Sequence, residues 1–326
     1  MKAIVLTAYG DVRGLIEKEV PEPTPGPNEI KVRMAGAGIN PVDWKLRSGA
    51  LQAMMPLALP AILGRDASGE VVEVGQGSTR FAVGARVMGL VMGAYADFVV
   101  APTDAWATVP DTMNLVDAAA LPLVLLTGAQ LIDDGVQPRS GDVVLVTGAV
   151  GGVGRAAVFA AKARGVHVWA GVRLSQVSEA AQLGADGVVA LDDDTAVAKL
   201  PPLDSIADTV GGSTIAKLLG KVKPGGCVAS VVGEAPGAAT RGLATRAIMT
   251  HPDFRRLAEL GRAVADGQLV IPIAKRLPLA QAGVAQTLAE SHLGGKVILT
   301  GILPRPPLLT ARDRGERRPE QTTAEP

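Results

Sequence analysis

The sequence predicts an α/β protein in which a doubly wound parallel sheet is inserted into a β-rich module. Two observations lead there. Residues 142–173, DVVLVTGAVGGVGRAAVFAAKARGVHVWAGVR, pass from an apolar strand through a glycine cluster into a helix and then a second strand. The first hundred residues are short alternating or apolar runs cut by glycine and proline, whereas from Val116 onward helical and strand patterns alternate.

In the first module the runs KAIVLT, EIKVRMAGAGI, SGEVVEVG, GARVMGL and YADFVV read as strands, and PEPTPGPNE as an exposed turn. GINPVDWK reads as a loop, because Asn-Pro and Asp commonly bond their own backbone in turns. DAAALPLVLLTGAQLIDD then opens the alternating part as a helix, ahead of the glycine-cluster unit. VSEAAQLGA and STIAKLLGKV continue it as helices, with GVVAL, SIADTV and CVASVVG as strands. A helix is expected at 254–266, and LVIPIAKRLPLAQAGVAQTLAESHLGGKVILT supplies a strand, a helix and a closing strand that can rejoin the first module. The tail, 304–326, is rich in proline and charge and has too little periodic apolar surface to order itself, so it is expected to be mobile. The divisions are 1–115, 116–268, 269–302 and 303–326.

The glycine cluster points to a dinucleotide. The strand 143–147 is almost wholly apolar, as suits a parallel strand covered on both faces, and Gly148, Gly151, Gly152 and Gly154 fall where the chain must turn. Lacking Cβ atoms, they let the backbone approach a pyrophosphate, and the helix 153–164 presents free N–H groups and its positive dipole end. The flanking strand and helix are the context such a pattern needs, although the first glycine of the usual G-x-G-x-x-G is Ala149. The second strand, 166–172, ends in Arg173, about 20 residues beyond Gly154, where NAD-binding units usually carry a carboxylate for the ribose. Arginine there suits the 2′-phosphate of NADP, through a planar charge-assisted fork. The plainer reading is a solvated strand-end arginine.

Composition narrows the class. The formal charge is zero, from 32 basic and 32 acidic residues, which argues against a nucleic-acid surface or a polybasic membrane patch. No uninterrupted apolar run reaches membrane-spanning length and the N-terminus shows no cleavage signature, so a cytoplasmic protein is expected. The single cysteine, Cys227, excludes an internal disulfide and lies in an apolar run as a core thiol. His167, His251 and His292 are widely spaced, and a metal site, which needs clustered Cys and His ligands, is not expected.

Taken in order, GINPVDWKLRSG, PAILGRDASGEVVEVG, GAYADFVV, ALPLVLLTGAQ, GAVGGVG, DTVGG, KPGGCVASVVG and GGKVILT resemble the zinc-free medium-chain dehydrogenase/reductases, in the NADPH-dependent quinone oxidoreductase group that includes zeta-crystallin. The resemblance spans residues 1 to about 302. It implies a Rossmann doubly wound parallel sheet inserted into a β-rich GroES-like domain built from both chain ends, with the active site in the cleft between them. It further implies a homodimer or homotetramer, commonly made by pairing the edges of the Rossmann sheets. Where zinc-dependent relatives carry a cysteine ligand this chain has Ile39-Asn40-Pro41, and their His-Glu pair reads Arg65-Asp66.

Without a Lewis acid, the chemistry rests on positioning a nicotinamide hydride against an electron-poor acceptor and on hydrogen bonds to the oxygen that gains charge. Quinones and α,β-unsaturated carbonyls suit this, since the phenolate or enolate they form needs less stabilisation than an alkoxide. The resemblance places the GINPVDWK loop beside the nicotinamide, which makes Asn40 the first candidate to donate to a substrate oxygen. Asp43 is a candidate to orient it or relay a proton, and Lys45 to stabilise an oxyanion. Tyr95 resembles the ring that packs at the cleft in relatives, with core packing as its alternative. By the same resemblance Thr127 lies near the nicotinamide and phosphates, Gly151, Gly152, Val153 and Gly154 at the pyrophosphate, and Gly211, Val232 and Gly233 along the strand ends. Lys296, before the last strand, is a candidate to approach the cofactor phosphates, with a solvent-exposed lysine as its alternative. Two further readings stay open: an enoyl reductase of a biosynthetic pathway, which would share every cofactor motif, and a non-catalytic NADPH-binding sensor or structural protein.

Overall fold

The computed structural model describes residues 1–291 and 293–301; His292 and the tail expected to be mobile lie outside the described residues. The N-terminal module comprises β1 (Lys2–Leu6), β2 (Leu15–Glu19), β3 (Glu29–Gly38), α1 (Pro41–Ser48), β4 (Ala61–Ile62), β5 (Asp66–Val74), β6 (Arg86–Leu90), β7 (Phe98–Pro102) and β8 (Trp106–Thr108). Strands β2, β1 and β4 form a small antiparallel sheet, while β3, β5, β6 and β8 run side by side in a larger one, with β7 also on β3. The alternation in β3 explains its seating. Ile30, Val32 and Met34 are fully buried, and Lys31 and Arg33 on the other face reach Glu73 at 2.5 Å and Glu70 at 3.5 Å across the ladder.

The middle of the chain supplies α2 (Pro122–Gln130), β9 (Val143–Thr147), α3 (Gly152–Ala163), β10 (His167–Val172), α4 (Val177–Ala180), β11 (Gly187–Ala190), α5 (Asp194–Ala198), β12 (Leu203–Asp208), α6 (Gly212–Leu218), β13 (Val222–Ser230) and β14 (Ala244–Ala247). The six strands are parallel in the order β11-β10-β9-β12-β13-β14. The order reverses direction at β9 and β12, and a crevice opens beyond the carboxyl ends of strands at such a switch point. The chain continues through α7 (Phe254–Ala265), β15 (Ile273–Pro278), α8 (Ala282–Glu290) and β16 (Lys296–Thr300). Strand β16 pairs antiparallel with β3 and β15 lies parallel on β16, so the C-terminal segment rejoins the first module.

Three local expectations change. GINPVDWK is not a loop: Asn40 caps α1, Pro41 opens it, and Asp43 reaches back to the Asn40 N–H at 2.8 Å. The residues that form turns are also those that start helices, and here the helix wins. VSEAAQLGA is α-helical only over Val177–Ala180 before tightening. Strand β14 was not foreseen, because ATRA is short and exposed at all four positions.

The helical stretch Asp117–Val136 is long and apolar enough to cross a bilayer by composition, yet 83% of its most apolar window is buried in protein. It is the core helix on which the parallel domain packs. Gly128 in α2 meets the first turn of α3 so closely that a Cβ there would lie 2.4 Å from the Val153 carbonyl oxygen and 2.6 Å from Ala156 Cβ. Protein interiors cannot absorb such an overlap without moving backbone. We expect Gly128→Ala to lower stability by about 1–3 kcal/mol, read as a lower urea midpoint with an unchanged slope; an unshifted midpoint would show that the two helices separate freely.

Candidate functional site

Strand β9 ends at Thr147, and the chain turns through Gly148 in a left-handed conformation (φ +63°). A Cβ on Gly148 would lie 2.4 Å from Thr209 Oγ1, and one on Gly154 would lie 2.2 Å from the Gly148 carbonyl oxygen. Ala149 is fully buried, so its methyl points into the core and leaves the turn open. Gly151, extended and exposed, caps α3, and Gly152 and Val153 form a half-buried first turn whose N–H groups have no helical acceptor. This concave, Cβ-free turn at a helix N-terminus fits a dinucleotide pyrophosphate.

The neighbouring strand ends are fixed by one carboxylate. Buried Asp208 accepts from Thr147 Oγ1 and Ser230 Oγ, each at 2.8 Å, and from the Val210 and Gly211 N–H groups at 3.1 and 3.0 Å. Thr209 Oγ1 in turn donates to the Thr147 carbonyl at 2.8 Å. The ends of β9, β12 and β13 are thereby locked in register around Gly211, which caps α6 at φ +73°, and Gly233 at φ +115°. Val210 and Val232 stay 47% and 43% exposed and give the crevice apolar walls. Thr147 and Ser230 escaped sequence reading; a hydroxyl at the end of an apolar strand was the available signal.

Arg173 is exposed at the end of β10, and among the described residues its guanidinium has no acceptor. Its backbone N–H donates to Gln176 Oε1 at 3.2 Å, and the next N–H, of Leu174, donates to Asp192 Oδ1 at 2.8 Å. So a carboxylate does stand beside this turn, delivered by the strand end after β11, too far along the chain for a spacing rule to find. On the other wall, Thr127 is nearly buried and its hydroxyl pairs with that of Thr250 at 2.7 Å. Gln130 clamps the next peptide: its Nε2 donates to the His251 carbonyl at 2.8 Å and its Oε1 accepts the His251 N–H at 3.1 Å. These contacts tie the segment after β14 to α2.

Asn40 and Asp43, the candidates to face substrate, are internal, and Tyr95 takes its core-packing alternative. Asn40, Asp43 and Tyr95 are fully buried. Asn40 Nδ2 donates to Asp66 Oδ2 at 2.8 Å and its Oδ1 accepts from Lys296 Nζ at 2.5 Å. Lys296 also donates to the Ile39 carbonyl at 2.8 Å and lies 3.4 Å from Asp66 Oδ2. With its three donors engaged, Lys296 is not free to reach cofactor phosphates, and the second amide hydrogen of Asn40 is taken by the Gly38 carbonyl at 3.4 Å. Asp43 holds the Asn40 N–H and accepts the Tyr95 hydroxyl at 2.9 Å, which makes both structural. Lys45 sits half-buried on α1, apart from this knot. Asp66 completes it by accepting the Leu123 N–H, in the first turn of α2, at 2.7 Å.

These residues do not fit zinc. Arg65 offers a cation where a ligand would be needed, Asp66 is already bonded at both oxygens and paired with an ammonium, and Cys227 lies on β13 against the Gly135 carbonyl. Among the described residues no three His, Cys, Asp or Glu groups come together.

Burial raises the Asp43 carboxyl to about 7, while the Asn40 N–H and the Tyr95 hydroxyl oppose the shift, and burial likewise raises Asp66 against the pull of Lys296. A carboxyl raised on folding gives stability that is fully present below its unfolded value, near 3.8, and lost as pH rises through about 7. We expect Asp43→Asn to flatten the decline in melting temperature between those limits; an identical pH profile would place the ionisation elsewhere.

Residues 26–111 match the family described as alcohol dehydrogenase GroES-like domain, and residues 183–299 the family described as zinc-binding dehydrogenase. The chain is 31% identical over 325 residues to a quinone oxidoreductase of Pseudomonas aeruginosa, covering 91% of this chain and 99% of that protein. It is 35% identical over 201 residues to a chloroplast envelope quinone oxidoreductase homolog of Arabidopsis thaliana, and that match spans 58% of this chain and 60% of the relative. A mycobacterial protein solved in complex with NADPH superposes with a TM-score of 0.78 at 28% identity, over 92% of this chain and 100% of that one. With a parallel sheet inserted into a module that both ends of the described chain build, and a glycine turn at the switch point, the chain belongs to the quinone oxidoreductases of the medium-chain dehydrogenase/reductase superfamily.

Proposed function

We propose that this protein is an NADPH-dependent reductase that delivers hydride, without a metal, to a quinone or an α,β-unsaturated carbonyl. The observation that carries the cofactor choice is Arg173, an exposed guanidinium at the end of β10 that no group among the described residues engages. A planar fork in that place suits a 2′-phosphate. The backbone from Gly148 to Gly154 and the N-terminus of α3 would hold the pyrophosphate, with Gly211, Val232, Gly233 and Thr127 lining the nicotinamide end. The nicotinamide, when bound, supplies the hydride. The protein's part is to orient both partners and exclude water, and the apolar walls of Val210 and Val232 suit that task. The edge strand β14, exposed at all four residues, supports a homodimer formed by sheet extension.

An acceptor panel with NADPH tests the reading: quinones, enals and enoyl thioesters as substrates, with binding but no oxidation marking a non-catalytic protein. Losing a hydrogen bond to a charged group costs about 1.5–3 kcal/mol, so Arg173→Ala should weaken NADPH roughly tenfold to a hundredfold and leave NADH little changed. Equal weakening of both cofactors, or a native preference for NADH, would withdraw the assignment. Activity should also survive chelation; about one tightly held zinc per chain, with turnover lost on its removal, would overturn the metal-free mechanism.

A further inference from the structure

Arg65 stands between Gly64, left-handed at φ +100°, and the start of β5. Its backbone is fixed, since its carbonyl accepts the Val91 N–H at 2.8 Å. Its side chain is half-buried, with Nε shielded from solvent and unpaired. Four arginines bury Nε in this way: Arg33, Arg47, Arg65 and Arg256. Three of them send their terminal nitrogens to carboxylates, Glu70 at 3.5 Å, Glu290 at 2.5 Å and Asp133 at 3.1 Å. Arg65 has neither a carboxylate nor a carbonyl partner among the described residues. A shielded Nε–H without an acceptor costs stability, while the terminal nitrogens, which are not shielded in this way, engage no acceptor among the described residues.

Its place suggests what it waits for. The adjacent Asp66 accepts the Leu123 N–H at the start of α2, and five residues further along that helix Gly128 abuts Val153 in the first turn of α3. At a rise of about 1.5 Å per residue, those two points are only about 7–8 Å apart along α2. The backbone at Arg65 therefore adjoins the contact between the first module and α2, where the residue after Leu123, Val124, packs against Gly152 of the glycine turn.

We propose that Arg65 receives the oxygen of the electron acceptor. Its donors would engage the carbonyl as two electrons arrive with the hydride, NADPH is oxidised to NADP, and the acceptor oxygen becomes a phenolate or enolate that later takes a proton from water. A planar, permanently charged group suits an oxygen that gains charge during the step. The assignment rests on the reductase reading above.

Arg65→Gln and Arg65→Lys test it, with melting temperatures confirming the fold. Three quantities are read: NADPH affinity by fluorescence, affinity for para-nitrophenolate as a redox-inert oxyanion, and kcat/KM for a quinone. The glutamine variant should lose roughly tenfold to a hundredfold in both phenolate affinity and kcat/KM, the size of one charge-assisted hydrogen bond, with NADPH affinity unchanged and partial recovery in the lysine variant. Unaltered phenolate affinity would overturn the proposal, and so would a parallel loss of NADPH affinity, which would assign the guanidinium to a cofactor phosphate. If the unmodified protein reduces no acceptor, the reductase reading fails, while phenolate binding still decides the role of Arg65.

Discussion

The Asp66 carboxylate is where the two ends of the chain meet the inserted domain. Its Oδ2 takes the Asn40 amide and faces Lys296, its Oδ1 takes the first turn of α2, and it is fully buried. Strand register makes this meeting possible. Gly38 stands opposite Asp66 on one side and Ile298 on the other, so β3 carries Asn40 to a point where β5 and β16 deliver the carboxylate and the ammonium. Burying an ion costs several kcal/mol, which is offset only when every polar atom of the pair finds a partner. Here nearly all do, so the knot specifies one arrangement of three segments far apart in sequence. Deleting one member would strand a buried charge, a change typically worth about 3–5 kcal/mol.

A second buried carboxylate works by a different means. Among the described residues Asp208 pairs with no cation; it is satisfied by two hydroxyls and two backbone N–H groups, all neutral donors from β9, β13 and its own turn. Asp66 fixes where the domains join, and Asp208 fixes the strand ends that face the crevice. Helix α2 connects the two systems. It begins on Asp66, presents Thr127 and Gln130 to the segment after β14, and packs through Gly128 on the first turn of α3. Geometry set at the knot is thus transmitted along a buried helix to the glycine turn, without a flexible connection between them.

The parallel domain was legible because its signals are local: an apolar strand, a glycine cluster and an amphipathic helix in one window, followed by the same alternation. The return of β15 and β16 to the first sheet was legible from the order of patterns. What was lost is long-range or two-faced. Asn40 and Lys296 bond across 256 residues, and nothing in either neighbourhood announces the other. Lys296 precedes a strand, where a lysine is normally solvated, and Asn-Pro-x-Asp serves turns and helix starts alike, so local pattern does not reveal that these residues hold α1 and β16 together. Asp66 drew notice only as a replaced metal-site residue and Asp192 none at all, for a related reason: each acts on a segment distant in sequence.

The charges at the junction have a consequence for the metal-free mechanism proposed above. Arg65 and Lys296 bring two cations there, against the carboxylates of Asp66 and Asp43. Burial raises the carboxyls of both Asp43 and Asp66, so the fold disfavours full negative charge on the pair. Lys296 is already committed to Asp66 and Asn40, whereas Arg65 forms no ion pair among the described residues. Fixed charge placed before the reaction begins needs no reorganisation when negative charge appears on an oxygen nearby. On the proposed reading, a Lewis acid is replaced by a guanidinium held at the edge of a buried ion pair, and the fold supplies by electrostatics what zinc supplies by coordination.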